Sequence, residues 1–107
     1  MEAYTAFQAL FAVKLRKDNL WARAVRTIFD YPSGHVFTIF DLADSLGVDV
    51  HNAYNILHGS GAYRMHPSLL HGKYRILLHE VDYKTRVVFY HFNERRRKEL
   101  APLLTMT

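Results

Sequence analysis

Residues Ile39 to His58 read IFDLADSLGVDVHNAYNILH, and the order of small, apolar and turn-forming residues in that stretch decides the fold. Two short helices that cross at a wide angle need apolar or small residues where they touch and a residue free to turn between them. Leu42, Leu46, Val48, Ala53 and Ile56 supply the contacts, and Ala43 lets the second helix cross close by. Gly47 is placed to take the left-handed conformation that ends the first helix. Thr38 and Asp41 have the spacing of a capping box, with an acid in place of the more usual Glu or Gln. Asp49 stands where the second helix needs a cap. An ordinary helical hairpin with a glycine turn uses the same residue types, so the flanking sequence has to be read as well.

Upstream, Asp18 or Asn19 can cap a helix in which Leu20, Trp21, Ala24, Val25, Ile28 and Phe29 recur at spacings of three and four, giving an apolar stripe. Tyr31-Pro32-Ser33-Gly34 stops it, and His35 to Phe37 reads as a short extended segment. Nearer the start, Thr5 and Gln8 have capping-box spacing and predict a first helix. Its Phe7, Leu10, Phe11 and Val13 precede Lys14, Arg16 and Lys17, and residues 1–17 are expected as an N-terminal helical extension.

Downstream, Gly59-Ser60-Gly61 ends the second helix of the pair. The period then changes. Lys73 to Val81 and Arg86 to Phe92 are rich in Val, Ile, Leu, Phe and Tyr and flank Asp82-Tyr83-Lys84-Thr85, which predicts a hairpin. If Val81 pairs with Arg86, then Ile76, Leu78, Val87 and Phe89 share one face, and Leu77, Val81, Val88, Tyr90 and Phe92 share the other. Both faces are apolar, so the first helix, the last helix or a second copy must cover one of them. Asn93 can cap a final helix, Glu94 to about Leu104, within a C-terminal helical segment over residues 94–107, where Pro102 predicts a bend or frayed end.

A length of 107 residues, half of them hydrophobic, fits one domain and excludes a disordered chain. The absence of cysteine excludes disulfides, cysteine-ligated zinc and thiol nucleophiles, and a cytoplasmic location is the expectation. The apolar run Ala6 to Val13 is interrupted by Gln8, carries its basic residues after it, and is too short to span a bilayer, so neither export nor membrane insertion is expected. The net charge of +4 is unevenly spread: Lys and Arg are absent between Arg26 and Arg64, where Asp30, Asp41, Asp44 and Asp49 lie. A polyanionic partner would meet its positive potential on the flanks.

A helix, a short strand, a helix-turn-helix and then a hairpin resembles the element order of winged helix-turn-helix transcription regulators, over roughly residues 19 to 92. The resemblance implies an α+β, mainly α fold: one winged-helix domain over residues 1–107 with an extra N-terminal helix and a C-terminal helix. It also implies a sequence-specific regulator that binds double-stranded DNA; no cofactor is expected, and no Ser, His and Asp set or carboxylate pair has supporting context, so no enzymatic activity is expected. A homodimer is expected, because one short recognition helix reads few base pairs and pairing doubles the site. Carried over residue by residue, the base-reading positions are Val50, His51, Asn52, Asn55 and His58, preceded by Asp49 and with Tyr54 at the edge; Asp82 to Arg86 form the tip of the wing.

Asn52 and Asn55 each suit a two-pronged hydrogen bond to adenine, and Val50 suits a thymine methyl. His51 and His58 can donate to phosphate or guanine. Asn and His are equally tolerated on a solvated helix face. The pattern departs from the family in its missing cations, since most groove-reading helices carry Arg or Lys. Asp41, Asp44 and Asp49 suit the first turns of helices, yet they repel phosphate. Backbone contacts therefore fall to Lys14, Arg16, Lys17, Arg64, Lys73, Arg75, Lys84 and Arg86, with Arg23 and Arg26 on the same rim. Six such contacts would lower affinity by about three orders of magnitude between about 50 and 200 mM salt. The run Arg95-Arg96-Arg97-Lys98 either clamps phosphate or anionic lipid, or forms the solvated face of a helix.

Seven histidines invite a metal site, but none forms HExxH or an i, i+4 pair on a predicted helix, so no metal is expected. Gly59-Ser60-Gly61 follows a helix and lacks a downstream Gly-Lys-Ser/Thr, so it is not a phosphate loop. The alternative function is a winged-helix protein-interaction or scaffold module without specific DNA binding, which the acidic helix pair and two-faced hairpin favour. In a dimer, Phe7 to Val13 and the last leucines make the contact; otherwise they fill the chain's own core.

Overall fold

The computed structural model describes residues 3–72 and 75–105. It runs α1 (Ala3–Leu15), α2 (Leu20–Asp30), β1 (Val36–Phe37), α3 (Ile39–Leu46), α4 (Val50–His58), a 3-10 turn (Gly61–Tyr63), β2 (Leu77–Asp82), β3 (Val87–Phe92) and α5 (Glu94–Thr105). Among the described residues the fold is α+β and mainly helical, with a three-stranded antiparallel sheet in the order β1-β3-β2. Polar caps set the helix starts in the middle of the chain. The Asn19 side chain accepts the Ala22 N–H at 2.9 Å and opens α2. Thr38 and Asp41 form a full capping box on α3: the Thr38 N–H donates to the Asp41 carboxylate at 2.8 Å, and the Asp41 N–H donates to the Thr38 hydroxyl. Asp49 accepts the Asn52 N–H at 2.8 Å and opens α4. Gly47 turns the chain between them at φ 67°, where a Cβ would be strained.

The hairpin departs from its expected register. Val81 pairs with Val88 and Asp82 with Val87, so the turn is Tyr83 to Arg86 and Arg86 leaves the strand. Arg86 takes the left-handed conformation, φ 61°, and its N–H donates to the Asp82 carbonyl at 2.6 Å. The Asp82 carboxylate also accepts the Lys84 N–H at 2.9 Å, which explains why this turn forms without glycine. The slip is two residues, an even number, so the two faces keep their members. Leu77, Tyr90 and Phe92 are buried, while Leu78, Val87 and Phe89 on the other face stay half-buried. The strand expected from Lys73 starts only at Leu77; Lys73 itself lies outside the described residues.

The core is drawn from every part of the chain, with Phe11, Trp21, Ile28, Phe37, Leu42, Ile56, Leu77 and Leu100 all buried. Phe11 meets Trp21 edge-on at 5.4 Å, so α1 belongs to the core. Of the residues expected either in a dimer contact or in the chain's own core, Phe11 and Leu100 are buried within the chain, Phe7, Leu103 and Leu104 pack against the same core, and Leu10 and Val13 stay exposed. The expected Thr5–Gln8 capping box is corrected, because α1 already begins at Ala3 and the Gln8 amide donates instead to the Glu99 carbonyl at 3.5 Å. Asn93 directs its side-chain amide to the Arg75 carbonyl, and α5 continues through Pro102 to Thr105. In the basic run, Arg96 pairs with Glu99 and Arg97 with Glu94, and Arg97 also donates to the Phe29 carbonyl and lies over the Phe92 ring at 4.1 Å. Half of that run is therefore structural. Among the described residues no helix is long and apolar enough to cross a membrane.

Candidate nucleic-acid interface

The outward side of α4 divides the expected base-reading residues into two groups. Val50, His51 and Tyr54 are exposed, and Asn52 is half-buried with its backbone N–H donating to the Asp49 cap. Asn55 and His58 are held internally. The Ser60 hydroxyl donates to Asn55 Oδ1 at 3.0 Å, and Gly61 packs so closely that a Cβ there would lie 2.9 Å from the Asn55 amide nitrogen. His58 stacks on Tyr54 with ring centres 3.9 Å apart, and its Nδ1 is 2.9 Å from His71 Nε2. These contacts hold both side chains against their own chain.

His71 is brought to α4 by the loop that returns along the helix end. The Leu57 carbonyl accepts both the Leu69 N–H and the Ser68 hydroxyl, and the His71 N–H donates to Ser68 Oγ at 3.1 Å. Partial burial, followed by the charges of His71 and His79, lowers the His58 pKa from its usual value. Neutral imidazole is thus favoured at the position expected to meet phosphate or guanine. Nothing local in the sequence announces this pair, which joins residues across an irregular loop.

Between α3, α4 and the hairpin lies a groove of about 420 Å³. Ile39 and Phe40 come from α3, Tyr54 from α4, and Val88 and Tyr90 from β3; Thr85 and Arg86 close the hairpin end. Phe40 is 58% and Tyr54 47% exposed, so the groove presents aromatic surface to solvent. Asp41, Asp44 and Asp49 are exposed on the same helix pair. The groove brings one expected backbone-binding cation, Arg86, to the side of α4.

The other cations fall elsewhere. Arg16 and Lys17 line a hollow of about 250 Å³ at the α1–α2 elbow with Arg23 and Arg26, and none of its lining residues borders the groove. Arg23 donates to the Leu46 carbonyl, and Arg26 to the carbonyls of Leu15 and Leu104, all at 3.4 Å. Lys14 is half-buried; Arg64, which donates to the Gly61 carbonyl, and Arg75 and Lys84 are exposed. His66 had no signal in the sequence. Its ring lies 5.3 Å from Trp21 and 5.8 Å from Tyr63, with both nitrogens buried and lacking a hydrogen-bond partner among the described residues. Burial, then the charges of Lys14 and Lys17, lower its pKa. Among the described residues no group of three or more His, Asp or Glu side chains is arranged to hold a metal ion. In comparisons with known proteins, no family model, no curated protein and no solved structure matches this chain.

Proposed function

We propose that this is a cytoplasmic winged helix-turn-helix protein that binds double-stranded DNA sequence-specifically and regulates transcription. The observation that supports the reading best is that α4 and the hairpin tip border one groove, Tyr54 on one side and Thr85 with Arg86 on the other. A duplex seated on α4 then meets the hairpin too, as helix and wing do in the family. Nine residues make α4 about 13 Å long, the span of roughly four base pairs.

In this reading Val50, His51 and Asn52 face the bases, and Lys84 and Arg86 hold the adjoining backbone. Asn55 and His58 position α4 through Ser60 and His71. Two copies, with recognition helices about 34 Å apart, double the sequence read. Binding of duplex DNA by Lys84→Ala/Arg86→Ala and by Asn52→Ala tests the assignment. The first should weaken binding to every sequence alike, and the second should relax the preference at one position. Wild-type behaviour from both would refute it.

A further inference from the structure

We infer that His58 and His71 form a two-histidine site for a square-planar divalent metal ion, Cu2+ or Ni2+. His58 Nδ1 and His71 Nε2 lie 2.9 Å apart. Two imidazole nitrogens that each sit about 2.0 to 2.1 Å from one ion, at a right angle to each other, are separated by about 2.9 Å, whereas the tetrahedral angle of zinc spreads them to about 3.3 Å. Right-angled nitrogen ligands are those of Cu2+ and Ni2+, and imidazole suits both ions. The two ring planes are inclined at 49° with centres 4.9 Å apart, so the rings do not stack and each can turn its lone pair toward a common point beside the line that joins them. The hydrogen now between the two nitrogens moves to the other nitrogen of the ring that carries it. Both rings then ligate as neutral imidazoles, the form that binds metal.

Both ligands are held from outside the pair. Tyr54 stacks on the His58 ring at 3.9 Å. The His71 N–H donates to Ser68 Oγ, and the Ser68 hydroxyl and the Leu69 N–H both donate to the carbonyl of Leu57, the neighbour of His58. This support brings the nitrogens together before an ion arrives, which lowers the ordering cost of binding. His71 is exposed, which gives the ion a path from solvent. Among the described residues no third His, Asp or Glu joins the pair, so water completes the shell. His66 is not a substitute: its nitrogens are buried, and the charges of Lys14 and Lys17 that act on it would repel a cation. The two ligands are 13 residues apart in sequence, across an irregular loop that no ligand-spacing rule describes. A bound ion fastens that loop to the end of α4 by two metal bonds in place of one hydrogen bond. The inference does not depend on DNA binding.

Calorimetric titration of the full chain with Cu2+, Ni2+ and Zn2+ at about pH 7.5, where imidazole is neutral and without DNA, tests the site. A single equivalent of ion should bind per chain, with Cu2+ the tightest. Removing an outer partner of a metal ligand costs about 10- to 100-fold in affinity, so His58→Gln and His71→Gln, which each remove a ligand itself, should weaken Cu2+ and Ni2+ binding at least about tenfold. His35→Gln should leave both affinities at the parent values. Electron paramagnetic resonance of the Cu2+ form should show two equatorial imidazole nitrogens in the parent chain and one in either ligand variant. Cu2+ should also raise the melting midpoint of the parent and not that of His71→Gln, with circular dichroism confirming that the variants fold. The absence of a saturable equivalent overturns the proposal, as does affinity unchanged in both ligand variants, which would assign the ion to other groups. Zn2+ binding tighter than Cu2+ would overturn the square-planar geometry.

Discussion

Replacing Arg86 with glycine separates the strain in the hairpin from the use made of it. Arg86 sits at φ 61°, and a left-handed conformation costs a residue with a Cβ about 1 to 2 kcal/mol. Glycine escapes that penalty but loses about 0.5 to 1 kcal/mol more chain entropy on folding. The net expectation for Arg86→Gly is a gain of up to about 1.5 kcal/mol, which raises the melting midpoint by up to roughly 7 °C in a chain of 107 residues. The bond from the backbone N–H of residue 86 to the Asp82 carbonyl survives the change. The Arg86 guanidinium makes no ion pair among the described residues, so its removal breaks no charge pair of the folded state. DNA binding, in contrast, should lose one phosphate contact, and the slope of log affinity against log salt should flatten by about 0.9. Urea unfolding followed by fluorescence of the fully buried Trp21, together with duplex titrations at several salt concentrations, reads both effects. A variant that is less stable than its parent and binds DNA with unchanged affinity and slope would refute the reasoning on both counts.

Other substitutions probe the internal bonds of the site. His66→Phe keeps an aromatic ring against Trp21 and Tyr63 while removing two buried nitrogens without partners, and should raise unfolding free energy by about 1 kcal/mol in urea titration. Because the folded pKa of His58 is depressed below the usual 6.5, the unfolded chain takes up the proton first. Stability should be complete above that usual value and decline as pH falls from it through the lower folded value. His58→Gln should flatten this acid limb in melts between about pH 7.5 and about pH 5, and an unchanged limb would contradict the assignment. Asn55→Ala should cost about 1 kcal/mol of stability by freeing the Ser60 hydroxyl and leave base preference intact. Asn52→Ala should do the reverse, shifting stability by less than about 0.5 kcal/mol in the same melts while changing which duplexes are bound.

The parts of the fold that were legible in the sequence are those decided within a few residues. The Thr38–Asp41 box and the Asp49 cap each join a side chain to a backbone group three positions away, and the Gly47 turn needs only a residue without a Cβ at the helix end. The hairpin faces were legible for a related reason, since alternation fixes them whatever the even slip. Its register was not, because the turn closes through the Asp82 carboxylate and a left-handed Arg86, and neither is a usual hairpin signal. The site was less legible than the fold. Asn55 and His58 occupy the outward side of a recognition helix by spacing, yet Ser60 and His71 claim them through loops whose path no periodicity describes. The cations behaved likewise: Arg23 and Arg26 count toward a basic rim by composition, while in the fold they satisfy carbonyls of Leu46, Leu15 and Leu104.

Selection of bound duplexes from random DNA, followed by the salt dependence of affinity for the enriched sequence, tests the central claim most directly. If α4 reads bases while Lys84 and Arg86 hold phosphates, a short motif should emerge and the affinity should fall at least about tenfold between about 50 and 200 mM salt, the response of two released counterions. No enriched sequence at low salt, or a flat salt response, would contradict it.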